Sequence, residues 1–264
     1  MTLLDLVRAE VTKARSAPFV RGLLFLSAVL PLVLMLILAQ AMSTDQDRLL
    51  RWPLSALSVE GFFPLVSVVV PATLLAWLVG IEQTGDTWKL ILVRRPTRVG
   101  FLIAKLIVAG AVSACFFLFT IAFWLAGHEL VGLLIGQEPT PAADRVIDRV
   151  IVGVVGACLT SAIITGLSLL GAVLVPKNGV VVGAMSGCLS VMVANIVDTK
   201  DGPLITFVRP VDWAAARLLG FELPEPLQDL DPTRCALVLL VWLVVPPALA
   251  LVVFARRDVE SGAG

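Results

Sequence analysis

Apolar residues in this chain neither alternate nor form the narrow stripes of a soluble helix; they fall in long runs separated by short polar stretches. The runs occupy 22–42, 62–81, 101–127, 150–175, 179–197 and 235–255, the third being uncharged from Leu106 to Gly127. A hydrocarbon core about 30 Å thick takes about 20 helical residues to cross, so each run is long enough to span. Lipid offers the backbone no hydrogen-bond partner and the alternation of a barrel strand is missing, so the runs predict helices. The expected fold is an all-α integral membrane protein, a single transmembrane domain over 1–264 with six transmembrane helices.

The segments between the runs carry their own signals. Over 1–20, Leu4, Val7, Val11 and Ala14 recur at helical spacing while Arg8, Lys13 and Arg15 can face water. Thr2 with Asp5 three residues later marks a helix start, and Pro18 ends the helix. This predicts an interfacial amphipathic helix along the inner leaflet, its basic residues near anionic headgroups. Pro64 and Pro71 can kink the second run. Pro176-Lys177-Asn178 is too short for anything but a tight turn, making the fourth and fifth runs antiparallel neighbours. In the fifth run Gly179, Gly183 and Gly187 bare one helix face for close approach, either within the chain or in a dimer. The segment 198–234 is external and holds a short helix at or just below the outer surface, with Asp212 as cap, Trp213, Leu218 and Leu219 on one side and Gly220 as stop.

The loop 82–99 is the most informative stretch. Asp86 can cap a short helix after Gly85, with Trp88, Ile91 and Leu92 on its apolar side, and Arg94-Arg95-Pro96 breaks it. Such a crosswise helix can dock in a groove of a cytoplasmic partner, or lie at the interface with Trp88 at headgroup level. The residues alone leave both open.

Charge decides which side this loop is on. With the N-terminus inside, the inner segments hold Arg8, Lys13, Arg15, Arg21, Lys89, Arg94, Arg95, Arg98, Lys105, Lys177, Arg256 and Arg257, twelve of the twenty cations, against six of the twenty acids. Cation bias near span ends sets orientation, which places both termini in the cytoplasm. Lys105 lies near the inner mouth of the third run, where its stem can snorkel to water. Ala39-Gln40-Ala41 has the form of a signal cleavage site, but the apolar run before it is too long for a signal core.

Composition agrees with this picture and the missing chemistry narrows it. A chain with 58% hydrophobic and 15% charged residues and a mean hydropathy of +0.97 is no soluble globule. Cys115, Cys158, Cys188 and Cys235 lie within or at the edge of runs with no metal or disulfide spacing, and His128 is the single histidine, so no metal site is expected. Gly166-Leu167-Ser168-Leu169-Leu170-Gly171 misses the nucleophile-elbow spacing, and no Gly-Lys dipeptide occurs, so the chain has no catalytic residues and no P-loop of its own. The runs carry mild polar groups such as Ser113, Thr120, Ser161, Thr165, Ser168, Ser186 and Ser190, with no ionisable group at mid-depth for a coupling ion. Any transport must draw its energy from elsewhere. A non-transporting anchor or sensor subunit and an ion-coupled secondary carrier remain as alternatives.

The leader Ala9-Glu10-Val11-Thr12-Lys13-Ala14-Arg15-Ser16, the loop Glu82 to Leu92 followed by Arg95-Pro96-Thr97-Arg98 and Lys105, and the terminal Phe254-Ala255-Arg256-Arg257-Asp258 together resemble the permeases of type-2 ABC exporters. The likeness is greatest to the six-span group that includes bacteriocin-immunity and drug-efflux permeases, and it covers nearly the whole chain. It departs where Asp86 intrudes between Gly85 and Thr87 and where Ile91 holds a leucine position. The resemblance implies an exporter subunit of a bacterial cytoplasmic membrane, paired with a second copy or a related permease. It further implies separate ABC ATPase subunits that bind ATP and Mg, no cofactor on this chain, and no nucleic acid partner. The loop is then a cytoplasmic coupling helix, with Glu82, Gly85, Asp86, Thr87, Trp88, Lys89, Leu92 and Arg95 facing the ATPase.

Overall fold

The computed structural model of the chain describes residues 2–26, 29, 33, 70, 72–79, 82, 98–134, 143–175, 178–197, 208–219 and 228–256. Among these the regular elements are helices: α1 (Leu3–Ser16), α2 (Arg98–Leu134), α3 (Ala143–Leu174), α4 (Gly179–Val197), α5 (Val208–Leu218) and α6 (Pro232–Arg256). Shorter helical stretches occupy 18–26 and 72–79. Val99–Phe123 in α2, Ile151–Leu174 in α3 and α6 itself are each long and apolar enough to cross a membrane, and α4 carries a shorter apolar stretch. Most of the first predicted run, much of the second and the expected coupling helix lie outside the described residues.

α1 begins as its first residues dictate. The backbone N–H and the hydroxyl of Thr2 both donate to the Asp5 carboxylate, at 2.8 and 2.9 Å, while the Asp5 N–H donates back to Thr2 Oγ1. These two donors, the backbone one foremost, hold the Asp5 carboxyl below the ordinary carboxylate value. A lowered folded value means that the cap contributes above the unfolded pKa and fails as pH falls through the folded one. Acidification is therefore expected to speed amide exchange over the first turn of α1, and Asp5→Asn to abolish that pH dependence. Ala17 closes the helix, and Pro18 opens the next stretch instead of interrupting one, because a first-turn position needs no N–H.

The two faces of α1 differ from the sequence expectation. The row Leu6, Glu10, Ala14 is buried, whereas Leu4 and Val11 are exposed, so the expected apolar stripe meets the core-facing row only at Ala14, with the half-buried Val7 packed beside it. The buried row packs on the main core, where Ala14, Ala17 and Val20 meet Leu74, Leu75, Leu78, Phe101 and Leu102, with Phe254 of α6 joining from the far end. Phe19 stacks on Trp77 with ring centroids 5.6 Å apart.

α3 and α4 are antiparallel neighbours in close contact, and the Asn178 N–H donates to the Val175 carbonyl oxygen between them. A Cβ on Gly183 would meet the Ser168 carbonyl oxygen at 2.8 Å and Ala76 Cβ at 3.1 Å; one on Gly187 would meet Ser168 Oγ and stand 2.6 Å from Ala72 Cβ. Both glycines thus seat α4 against α3 and the 72–79 stretch of the same chain, and Gly179 is buried as well. Gly166 makes a similar allowance for the ring of Pro247, one of two prolines inside α6.

α5 corrects the sequence reading. It starts at Val208, so Asp212 lies inside the helix and not at its cap. Pro210 falls in the first turn, where proline is tolerated, which is why it does not break the helix. The buried row is Val211, Ala214 and Ala215, while Leu218 is 73% exposed. Val211 and Ala214 pack with Ile163, Ile164 and Leu239, residues inside the apolar stretches of α3 and α6. The four cysteines are free thiols.

Candidate functional site

The end of the 72–79 stretch, the start of α2 and the middle of α1 converge on one buried charge cluster. Lys105 lies two turns into α2 and is fully buried, with Glu10 (4% exposed) and Glu82 (7%) on either side. Its Nζ stands 3.1 Å from Glu10 Oε2, 3.0 Å from Glu82 Oε2 and 2.7 Å from the Leu78 carbonyl oxygen. The ammonium donates hydrogen bonds to Glu10 and to the Leu78 carbonyl, whereas its contact with Glu82 Oε2 is an ion pair without hydrogen-bond geometry. Lys13 Nζ closes the cluster by donating to Glu82 Oε1 at 2.6 Å. The Phe101 ring lies under the Lys105 ammonium at 4.7 Å.

Two ammoniums face two carboxylates, so the cluster is neutral while its members remain ionised. That balance keeps Lys105 in an apolar helix without reaching water, and it overturns the expectation that its stem snorkels to the surface. It also relocates two other residues. Lys13 spends its charge on Glu82 more than on solvent, and Glu82, expected to face an ATPase, turns its carboxylate onto lysines of its own chain. Gly85, Asp86, Thr87, Trp88, Lys89, Leu92 and Arg95 lie outside the described residues.

Sequence reasoning left Glu10, Lys13 and Lys105 out of the site. A signal existed for two of them: Lys105 is a lone cation inside an apolar run, and an intramembrane ionisable residue calls for a named partner. Glu10 shares the core-facing row with Leu6 and Ala14, a position that suits an acid only when it is paired.

The interior hydroxyls do a different job from the one their number suggests. Thr120, Ser161 and Thr165 donate to carbonyl oxygens four residues back, and Ser190 to one three residues back, at 2.6–2.9 Å. Ser186 bonds its own helix at Gly183 and reaches the Leu167 carbonyl of α3 at 3.1 Å. These groups satisfy helix backbone and join α4 to α3, while the buried Ser113 and Ser168 hydroxyls have no hydrogen-bond partner among the described residues.

The comparisons with known proteins bear on what such a cluster serves. No curated protein matches the chain. A family profile does: residues 6–194 match the ABC-2 family transporter protein. The match runs from α1 through the charge cluster to α4, so all four ionised members fall inside it. The helices are those of a multi-pass membrane protein, and the chain belongs to the ABC-2 transporter family as a permease.

Proposed function

We propose that this chain is the membrane-spanning subunit of an ABC exporter, crossing the bilayer six times with both termini in the cytoplasm of a bacterial cell. Two permeases, identical or related, pair around the substrate path, and separate ATPase subunits bind ATP and Mg and grip the loop 82–99. The observation that carries this reading is the neutral buried cluster at the root of that loop. Glu82 is the loop's first residue, and Lys105 and Lys13 tie it to α2 and α1. A displacement of the loop is therefore passed to two membrane helices and the leader at once, because a buried ion pair resists separation by several kcal/mol, about 3–5 when one partner is lost.

Energy enters only if the ATPase binds the inward and outward states unequally, since equal affinity shifts nothing. With Glu82 turned inward, the contact with the ATPase falls to Trp88 and its neighbours. Trp88→Ala, in the native complex isolated through a tag on this chain, is expected to cut ATPase co-purification and ATP hydrolysis by about tenfold, the factor of about 1.4 kcal/mol at an aromatic anchor. Membrane insertion should be unchanged. Undiminished co-purification and hydrolysis would remove the loop from the docking interface.

A further inference from the structure

Once its core-facing row is known, α1 resolves into three rows of different chemistry. The first, Leu6, Glu10 and Ala14, is buried in the core and ion-paired. On one side of it lie Val7, half-buried, and then Leu4 and Val11, 58% and 47% exposed. On the remaining side lie Ala9, Thr12 and Ser16, exposed and with no large side chain, together with the partly exposed Asp5. Arg8 and Arg15, both exposed, stand at the border between the apolar row and the small polar row. They are seven residues apart, which puts them one above the other about 10 Å apart on the helix.

The other cations of this region have different work. Lys13 is on Glu82, and the Arg21 guanidinium reaches the carbonyl oxygens of Arg15 and Ser16 at the end of α1. Neither Arg8 nor Arg15 forms an ion pair with a carboxylate among the described residues, and Asp5, one turn before Arg8, is hydrogen-bonded to Thr2. A helix with core on one side, apolar side chains on the next, and water-compatible small residues on the third lies flat on a membrane. Arginines at the apolar-to-polar border then sit at headgroup depth. The chain runs on from α1 into the stretch 18–26, whose Phe25 and Leu26 are exposed at the start of the first apolar run, so the membrane side is continuous. A cytosolic protein would have to approach the row of Ala9, Thr12 and Ser16, whose one charge, Asp5, is engaged by Thr2 and which offers no large side chain as an anchor.

We propose that Arg8 and Arg15, flanked by Leu4 and Val11, form a binding surface for the headgroups of anionic phospholipids, so that α1 and the cluster behind it are held by acidic lipid. This rests on the cytosolic placement of α1 given above and adds a lipid requirement to it. The expected size follows from about 1 kcal/mol for each cation near an anionic surface, or about fivefold per arginine and about thirtyfold for the pair.

The test uses the purified full-length chain, stripped of lipid and titrated with phosphatidylglycerol or phosphatidylcholine under native mass spectrometry. The wild type is expected to prefer phosphatidylglycerol. Arg8→Gln with Arg15→Gln should lose about thirtyfold of that preference, and the paired Arg→Lys variant should keep most of it. Because neither arginine touches the core, the thermal unfolding midpoint in phosphatidylcholine should not move. Equal preference in the wild type and the double glutamine variant overturns the proposal, as does a double lysine variant as weak as the glutamine one. A wild type with no preference for phosphatidylglycerol but with ATPase co-purification intact sinks this inference alone, whereas an intact wild-type preference without an associated ATPase sinks the exporter reading alone.

Discussion

Lys105→Met is expected to destabilise the protein by about 3–5 kcal/mol, the cost of leaving a buried charge without its partner. Methionine fills the space of the lysine stem, so packing against Phe101 changes little and the loss is electrostatic. The variant leaves Glu10 as a buried carboxylate stripped of its one ion-pair partner, while Glu82 keeps Lys13. Adding Glu10→Gln should therefore recover most of the stability, which a purely steric role for Lys105 does not predict. Chemical unfolding of the detergent-solubilised chain measures both. A single Lys105→Met variant within about 1 kcal/mol of wild type would show that the cluster contributes nothing of the kind. The same reasoning makes charge reversal at Glu82 a poor probe of partner docking, since it sets a third positive charge against two lysines inside the chain itself.

Gly187→Leu is expected to be the most damaging change in α4. The added Cβ alone would stand 2.6 Å from Ala72 Cβ and 3.1 Å from Ile164 Cγ2, and would collide with Ser168 Oγ. Ala72 Cβ is fixed to backbone and cannot swing aside, so α4 must move off both α3 and the 72–79 stretch. Overpacking of this sort costs about 1–3 kcal/mol. Gly183→Leu should behave alike, because its nearest obstacle is the Ser168 carbonyl oxygen. Gly110 is the control: nothing lies within 4 Å of its Cβ position, so Gly110→Ala should be neutral or stabilising by up to about 1 kcal/mol from helix propensity. Unfolding midpoints of the three variants decide the matter. Equal losses at 110 and 187 would mean that the glycines matter for flexibility and not for close approach.

Local chemistry was legible in the residues. The Thr2–Asp5 pair caps α1, α3 lies beside α4 as expected, and the glycines of α4 meet small neighbours. What escaped was non-local. Glu10 and Lys105 are ninety-five residues apart in sequence, and nothing at either position announces the other. Hydropathy treats a cation near a span end as a boundary mark, so Lys105 read as a snorkelling residue when its ammonium is fully enclosed. α1 misled for a related reason. Its apolar stripe meets the core-facing row only at Ala14, and periodicity alone cannot tell a face turned to lipid from one turned to protein. In α5 the acid Asp212 looked like a cap though the helix starts at Val208, and the small residues Ala214 and Ala215, which let the helix sink between α3 and α6, carry almost no hydrophobic signal.

The exporter reading requires the loop 82–99 to face the ATPase side. The direct measurement replaces the four native cysteines, introduces Trp88→Cys, and applies a membrane-impermeant maleimide to right-side-out and inverted vesicles. Labelling in inverted vesicles alone, blocked when the ATPase subunits are bound, is the predicted result. Labelling in right-side-out vesicles alone would contradict both the topology and the coupling built on it.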